Sequence, residues 1–275
     1  MITAFKKSDD NTITFSITIP FAFVKKTREE VLEELTKQTN LPGFRKGKAP
    51  KKLVEGKIDP EKVHEETLKK LLPKAYIQAV EEHKIRPVIN PKIQITKMKD
   101  NEDWQFDAIT CEAPVIDLKN YKEAVKSITA KSKIVIPGKE TTPPNFDEII
   151  KALLEAVSAT IPGILVEQEM QRFLSQTLDE VKQLGLTLDQ YLSSTGRTTE
   201  TLQEEARKRA ENEIKIEFVL SKVADSENIA VEEKEIEEAI QKAKDPKERE
   251  NLERNRYVLA SILRQQKTLD FLKNL

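Results

Sequence analysis

The clearest pattern in the chain lies at residues 12 to 20, where apolar and polar positions alternate strictly. Ile13, Phe15, Ile17 and Ile19 fall on one face, and Thr12, Thr14, Ser16 and Thr18 on the other. A period of two predicts a half-buried strand, which Pro20 ends. From residue 22 to 38 the spacing becomes helical, with Val24, Val31, Leu32 and Leu35 towards a core. Asp59-Pro60 opens a second helix, Asp59 as N-cap and Pro60 in its first position. It runs to about His83, with Leu68, Leu71, Leu72, Tyr76 and Val80 on its apolar side; Pro73 is expected to kink it. Residues 91 to 112 read as an antiparallel hairpin. Ile93 and Ile95 form one strand face, Trp104, Phe106 and Ala108 another, and Asp100-Asn101-Glu102 is the turn. Residues 1 to 118 therefore read as a small α+β domain, helices over an antiparallel sheet.

Periodicity fails over residues 119 to 145. Residues 128 to 136 read as extended, Pro137-Gly138 and Pro143-Pro144 punctuate the stretch, and a linker is expected. From 146 to 275 almost every segment is helical in spacing. Breaks fall at Pro162-Gly163, Gly185, Gly196, the extended Ile229-Ala230-Val231, and Asp245-Pro246. Thr187 and Gln190 have capping-box spacing. A single last helix is expected after Asp245-Pro246, carrying Leu252, Leu259, Ile262, Leu263, Leu269 and Leu272. The fold class is thus α+β: a small N-terminal α+β domain, then an elongated all-helical domain with projecting arms. Helix-on-helix core accounts for most of the second half's apolar stripes. Arms would leave some of them open, and periodicity does not choose between the two.

Composition agrees. Charged residues make up 34% of the chain and there are only 7 glycines among 275 residues, which favours long helices over tight turns. Net charge is −1, so nothing pulls the whole chain towards nucleic acid. Cys111 is the one cysteine, which fits a reducing compartment. The first residues lack the apolar run of a signal peptide, and no stretch approaches the roughly 18 apolar residues of a membrane span. A cytoplasmic protein with no membrane partner is expected.

One stretch belongs to neither core. Leu41 to Pro50 reads Leu-Pro-Gly-Phe-Arg-Lys-Gly-Lys-Ala-Pro, and residues 42 to 57 hold Arg45, Lys46, Lys48, Lys51, Lys52 and Lys57 against the single acid Glu55. Prolines and glycines close this stretch to helix and central strand. Phe44 has no apolar partner nearby in sequence. An aromatic among cations on a stiff loop is built to touch something else. It is not a phosphate cradle: a P-loop needs four residues between its glycines and then Lys-Ser/Thr, whereas three separate Gly43 from Gly47, and Ala49 follows Lys48. His64 and His83, the only histidines, have no ligand spacing with Cys111 and read as surface helix residues. Adjacent acids such as Glu65-Glu66 and Glu81-Glu82 do not face each other on a helix. No catalytic residue, metal site or cofactor is expected.

The motif Gly43-Phe44-Arg45-Lys46-Gly47-Lys48, followed by Pro50, resembles the ribosome-docking signature of bacterial trigger factor. The strand ending at Pro20 and the hairpin from Ile93 to Glu112 resemble that family's first strand and closing hairpin. Ile161-Pro162 with Leu165-Val166-Glu167, and Leu184-Gly185-Leu186 through Leu192, resemble arm segments of its substrate-binding domain. The resemblance implies an ATP-independent chaperone that docks near the ribosomal tunnel exit and shelters nascent or unfolded polypeptides. Phe44 and Arg45 would meet a ribosomal protein; Lys46 and Lys48, with Lys51 and Lys52, would meet ribosomal RNA phosphates. Family members also dimerise, so a homodimer is a further expectation. The family's FKBP-type prolyl isomerase domain needs on the order of a hundred residues, and the stretch from Tyr121 to Phe146 is far too short to hold it. Two alternatives stand beside this reading: a prolyl isomerase, and a free holdase or assembly scaffold with no ribosomal role.

Overall fold

A computed structural model describes residues 2–38, 59–132 and 145–275. The chain divides into two compact units, Met1–Ala113 and Pro114–Leu275.

The first unit holds β1 (Ile2–Lys7), β2 (Thr12–Ile19), α1 (Phe21–Gln38), α2 (Pro60–Glu82), β3 (Lys92–Lys97) and β4 (Trp104–Cys111). The sheet order is β1-β2-β4-β3, antiparallel throughout. The alternation in β2 decides its two faces. Ile13, Phe15, Ile17 and Ile19 are buried, and Ile17 and Ile19 lie opposite Phe106 and Trp104 of β4. Leu71, Ala75 and Ala79 of α2 close over them. The α2 N-cap forms as expected, Glu61 N–H donating to Asp59 Oδ1 at 3.0 Å, and the helix runs on through Pro73 to Glu82. Asp103 receives the Phe21 N–H at 2.8 Å and so starts α1.

Strand β1 had no strong signal in sequence. It is an edge strand whose Phe5 lies opposite Phe15 and touches its ring while staying partly open to solvent. Asn11, at φ 66°, turns the chain into β2, and the Asp10 carboxylate accepts from the Thr12 N–H and hydroxyl.

The second unit holds β5 (Val115–Asp117), α3 (Tyr121–Ser132), α4 (Phe146–Ala156), β6 (Ser158–Thr160), α5 (Gly163–Gln183) and α6 (Leu188–Thr195). It continues with α7 (Thr199–Ser226), α8 (Glu233–Lys242), α9 (Pro246–Arg254) and α10 (Arg256–Asn274). Its core joins Tyr121 and Val125 of α3 to Ile149 and Leu153 of α4, Val219 and Val223 of α7, and Leu272 of α10. A second cluster joins Val166 and Phe173 of α5 to Ala210 and Ile214 of α7.

Four readings need correction. The units part at Ala113 and Pro114, not after residue 118. Within the expected linker 119–145, Tyr121–Ser132 is a packed helix, so Ile128 is helical rather than extended; its stripe of Tyr121, Val125 and Ile128 is short but sits on the core. The second unit is not wholly helical, because β5 and β6 pair as a two-stranded ribbon with Ile116 opposite Ala159. The last helix is two. The chain breaks at Asn255, which leaves helical backbone at φ −114° and ψ 34° while its N–H still caps α9 on Asn251 O at 3.0 Å.

The predicted caps hold. Thr187 and Gln190 bond reciprocally at 3.3 and 2.9 Å, and Gly185 and Gly196 take φ 72° and 66° past the ends of α5 and α6.

Candidate functional site

The loop residues Gly43, Phe44, Arg45, Lys46, Gly47, Lys48, Lys51 and Lys52 lie outside the described residues. The structure describes the two roots from which that loop hangs, Gln38 at the end of α1 and Asp59 before α2. Arg28 Nη1 of α1 and His64 Nε2 of α2 both meet Asp100 Oδ1, at 3.0 and 3.3 Å, and Glu34 pairs with Lys70 at 2.6 Å. Both pairings carry the same offset along the two helices, so α1 and α2 run side by side in the same direction. The roots therefore lie at opposite ends of the pair, separated by roughly 20 Å of helical rise.

Both histidines are better packed than the sequence suggests. His64 stands edge-on to Trp104 at 5.9 Å besides meeting Asp100. His83 stacks on Phe5 at 4.8 Å, and its Nε2 is buried without a partner. Among the described residues no group of three or more His, Cys, Asp or Glu side chains could hold a metal ion. The perturbed acids are those expected of packing. Burial pushes the Cys111 thiol up to about 11, and burial with the Glu227 carboxylate beside it pushes the Tyr121 phenol up to about 12. Hydrogen bonds from Lys122 and Tyr121 hold Glu227 below its ordinary value.

Concave surface is found on the second unit, on two flanks of α7. The first cleft, about 480 Å³, lies between α7, α10 and the extended segment before α8; Leu220, Ala224, Ile229, Val231 and Ala260 contribute to its lining. The second, about 540 Å³, lies between α5, α7 and α10, with Leu165, Ile216, Phe218 and Leu269 among its apolar walls. Glu217, Leu220 and Gln265 border both. Beside the first cleft α10 is apolar and open. Tyr257 is 88% exposed, and Val258 and Ile262 are 53% and 54% exposed.

The helical frame around the clefts is fixed by charge. Arg264 donates to Ile229 O at 2.9 Å and to Asp225 Oδ1 at 2.6 Å, and Lys267 reaches Ala230 O at 2.7 Å and Glu235 at 2.9 Å. On α5 the ring of Phe173 is held between the guanidinium groups of Arg172 and Arg209, 4.9 and 4.4 Å from its centroid. Glu169 and Glu213 orient those two arginines. These cation–π contacts stiffen the wall of the second cleft.

Sequence reading placed Ile262 in a helix stripe but did not single out Tyr257, which lies off that stripe directly after Arg256. An aromatic on the polar side of a charged helix is the signal that would have found it.

Two family models match, together spanning nearly the whole chain: "Bacterial trigger factor protein (TF)" over residues 1–140 and "Bacterial trigger factor protein (TF) C-terminus" over residues 139–274. The trigger factor of Natranaerobius thermophilus is 36% identical over 122 residues, which is 44% of this chain and 27% of that protein. That of Staphylococcus carnosus is 34% identical over 122 residues, again 44% of this chain and 28% of the relative. The matched region thus spans under a third of each relative's length. A solved chain from work on promiscuous substrate recognition in the folding and assembly activities of the trigger factor chaperone shares the fold. Its TM-score is 0.66, with 12% identity over 100% of this chain and 99% of that one.

Proposed function

This chain belongs to the bacterial trigger factor family, and we propose that it works as an ATP-independent chaperone that docks on the ribosome and holds nascent or unfolded polypeptides. The observation that carries the docking half is the motif Gly43-Phe44-Arg45-Lys46-Gly47-Lys48, set between α1 and α2 of the unit that the first family model matches. Phe44 and Arg45 insert at a ribosomal protein near the tunnel exit. Lys46, Lys48, Lys51 and Lys52 meet RNA phosphates. Each phosphate met contributes a salt-dependent term of roughly 0.7–0.9 log units per log of salt. Co-sedimentation with ribosomes at physiological salt is the test. Alanines together at Phe44, Arg45 and Lys46 are expected to abolish it, and unchanged sedimentation refutes the docking role.

The holding half rests on the open apolar surface of α10 and the clefts beside α7. Weak contacts spread over several small apolar sites let varied clients bind and leave without nucleotide. Suppression of aggregation of a chemically unfolded client is expected at near-stoichiometric chain.

We read the protein as a binder and not an enzyme. The two matched segments overlap at residues 139–140, which leaves no interval between them for an isomerase domain. A protease-coupled assay on a proline peptide is expected to give background turnover. Cytoplasmic residence follows from the ribosomal role, and light scattering decides whether a homodimer forms.

A further inference from the structure

The turn of the β3–β4 hairpin, residues 98 to 103, does more than join two strands. It is fixed to the sheet from within. Asn101 takes φ 62°, Lys97 pairs with Glu102 at 2.7 Å, and the Trp104 indole N–H donates to Lys99 O at 3.2 Å. From that base it holds the starts of both helices. Asp103 accepts the Phe21 N–H at 2.8 Å, where α1 begins. Asp100 Oδ1 takes Arg28 Nη1 of α1 at 3.0 Å and stands 3.3 Å from His64 Nε2 of α2. His64, also edge-on to Trp104, lies in the opening turns of α2, just beyond Asp59, where the chain enters that helix from the basic motif.

Stability does not account for this arrangement. The Asp100 side chain is 60% exposed, and an ion pair so open to water contributes little to folding. The core of Ile17, Ile19, Trp104 and Leu71 does not include it. What one carboxylate with partners on two helices supplies is direction. Without it the opening turns of α2 are free to shift against α1 and the sheet, and the segment that enters α2 at Asp59 shifts with them. A binding motif works only when its side chains reach their contacts together, and that depends on the residues that support it from behind. A misaimed root therefore costs affinity without costing stability.

We propose that Asp100 is a positioning residue for ribosome docking: by holding Arg28 of α1 and His64 of α2 on the hairpin turn, it aims the root at Asp59 on which the basic motif is carried. The proposal rests on the docking reading and adds to it a residue outside the motif. It reverses the sign expected of charge alone. An exposed acid on a unit that meets RNA phosphates repels them, so neutralising it should tighten binding. If Asp100 aims the motif, the same neutralisation weakens binding.

The test is the affinity of the full chain for ribosomes, measured by co-sedimentation at several salt concentrations. Asp100→Asn is expected to weaken binding at least about threefold and to lower the salt slope, because a misaimed motif meets fewer phosphates. Its unfolding midpoint by Trp104 fluorescence should move by no more than about 5 °C. Asp100→Glu keeps the acceptor and should recover most of the lost affinity. Glu65→Gln is the control. Glu65 is an exposed acid whose ion pair, with Lys69 at 2.8 Å, stays within α2, and its loss should leave binding equal or tighter. Equal or tighter binding by Asp100→Asn, or equal weakening by Glu65→Gln, overturns the proposal and leaves docking standing. If the unaltered chain does not sediment with ribosomes, both fall. If Asp100→Asn is unfolded at the assay temperature, His64→Gln, which spares the Arg28 pair, decides in its place: weakening of at least about twofold sustains the proposal, and unchanged binding overturns it.

Discussion

Both units bury a core and leave some large apolar side chains open, but they differ in degree: in the first the most open, Phe23 and Ile77, stay half-covered, whereas in the second Tyr257 and Leu184 stand almost clear. In the first, the β2 face of Ile13, Phe15, Ile17 and Ile19 is shut off from water, and the aromatic rings of Phe15, Tyr76 and Phe5 pack over one another and His83. In the second, a comparable core around Leu153 and Val223 coexists with Tyr257, Val258, Ile262 and Leu184 left open. The contrast separates two ways of being functional. Under the proposed function, the first unit is the better-closed scaffold, and its working part is the basic motif between α1 and α2. Under the same reading the second unit is itself the holding surface, and its core keeps that surface in place.

The contrast breaks if the two cores do not fail separately. Phe15→Ala removes a fully buried ring and should cost about 3–5 kcal/mol. Trp104, the chain's one tryptophan and buried in the first unit, reports that loss by fluorescence. Leu153→Ala should cost about 2–5 kcal/mol and appear in helical circular dichroism, with Trp104 unmoved. Coincident transitions by both probes in both variants would mean one cooperative block instead of two.

A smaller change in stability sharpens the contrast more. Tyr257→Ser with Ile262→Ser should shift unfolding by no more than about 0.5 kcal/mol per site, since neither side chain is buried. Aggregation suppression should nevertheless fall several-fold. Equal loss of stability and holding would show these residues to be core after all.

Alkali offers the finest comparison. The folded pKa values of Cys111 and Tyr121 are raised, so the unfolded chain gives up these protons first. Each contribution is whole below the unfolded value and is lost as pH rises through the folded one. For Cys111 that window runs from 9.0 to about 11, and for Tyr121 from 10.0 to about 12. Trp104 fluorescence should therefore register weakening of the first unit about one pH unit before helicity registers it in the second. Cys111→Ala should remove the earlier onset and Tyr121→Phe the later. Simultaneous onsets in the unaltered chain would discard the assignment.

Legibility in the sequence followed the density of local signal. Residues 12 to 19 and the Thr187–Gln190 box spelled out their structure because one rule, alternation or capping, acted without competition. β1 was silent because an edge strand needs only one packed side, and Lys6 and Lys7 mask even that. The break at Asn255 was silent because no glycine or proline marks it, and only the backbone angles of one residue change. The basic loop offered a reading of its chemistry, from Phe44 and its cations, but it lies outside the described residues. The clefts were not, because they depend on Ser221 meeting Ala260 across the fold, and periodicity names an apolar face without naming what covers it.

The shared direction of α1 and α2 has a mechanical consequence. A tug on the loop between them enters α1 at Gln38 and α2 at Asp59, at opposite ends of the pair. The contacts along the seam, Glu34 with Lys70 and Arg28 and His64 through Asp100, set how far apart those two attachment points are held. The intervening segment is therefore anchored to the unit at two distant points and not at a single hinge.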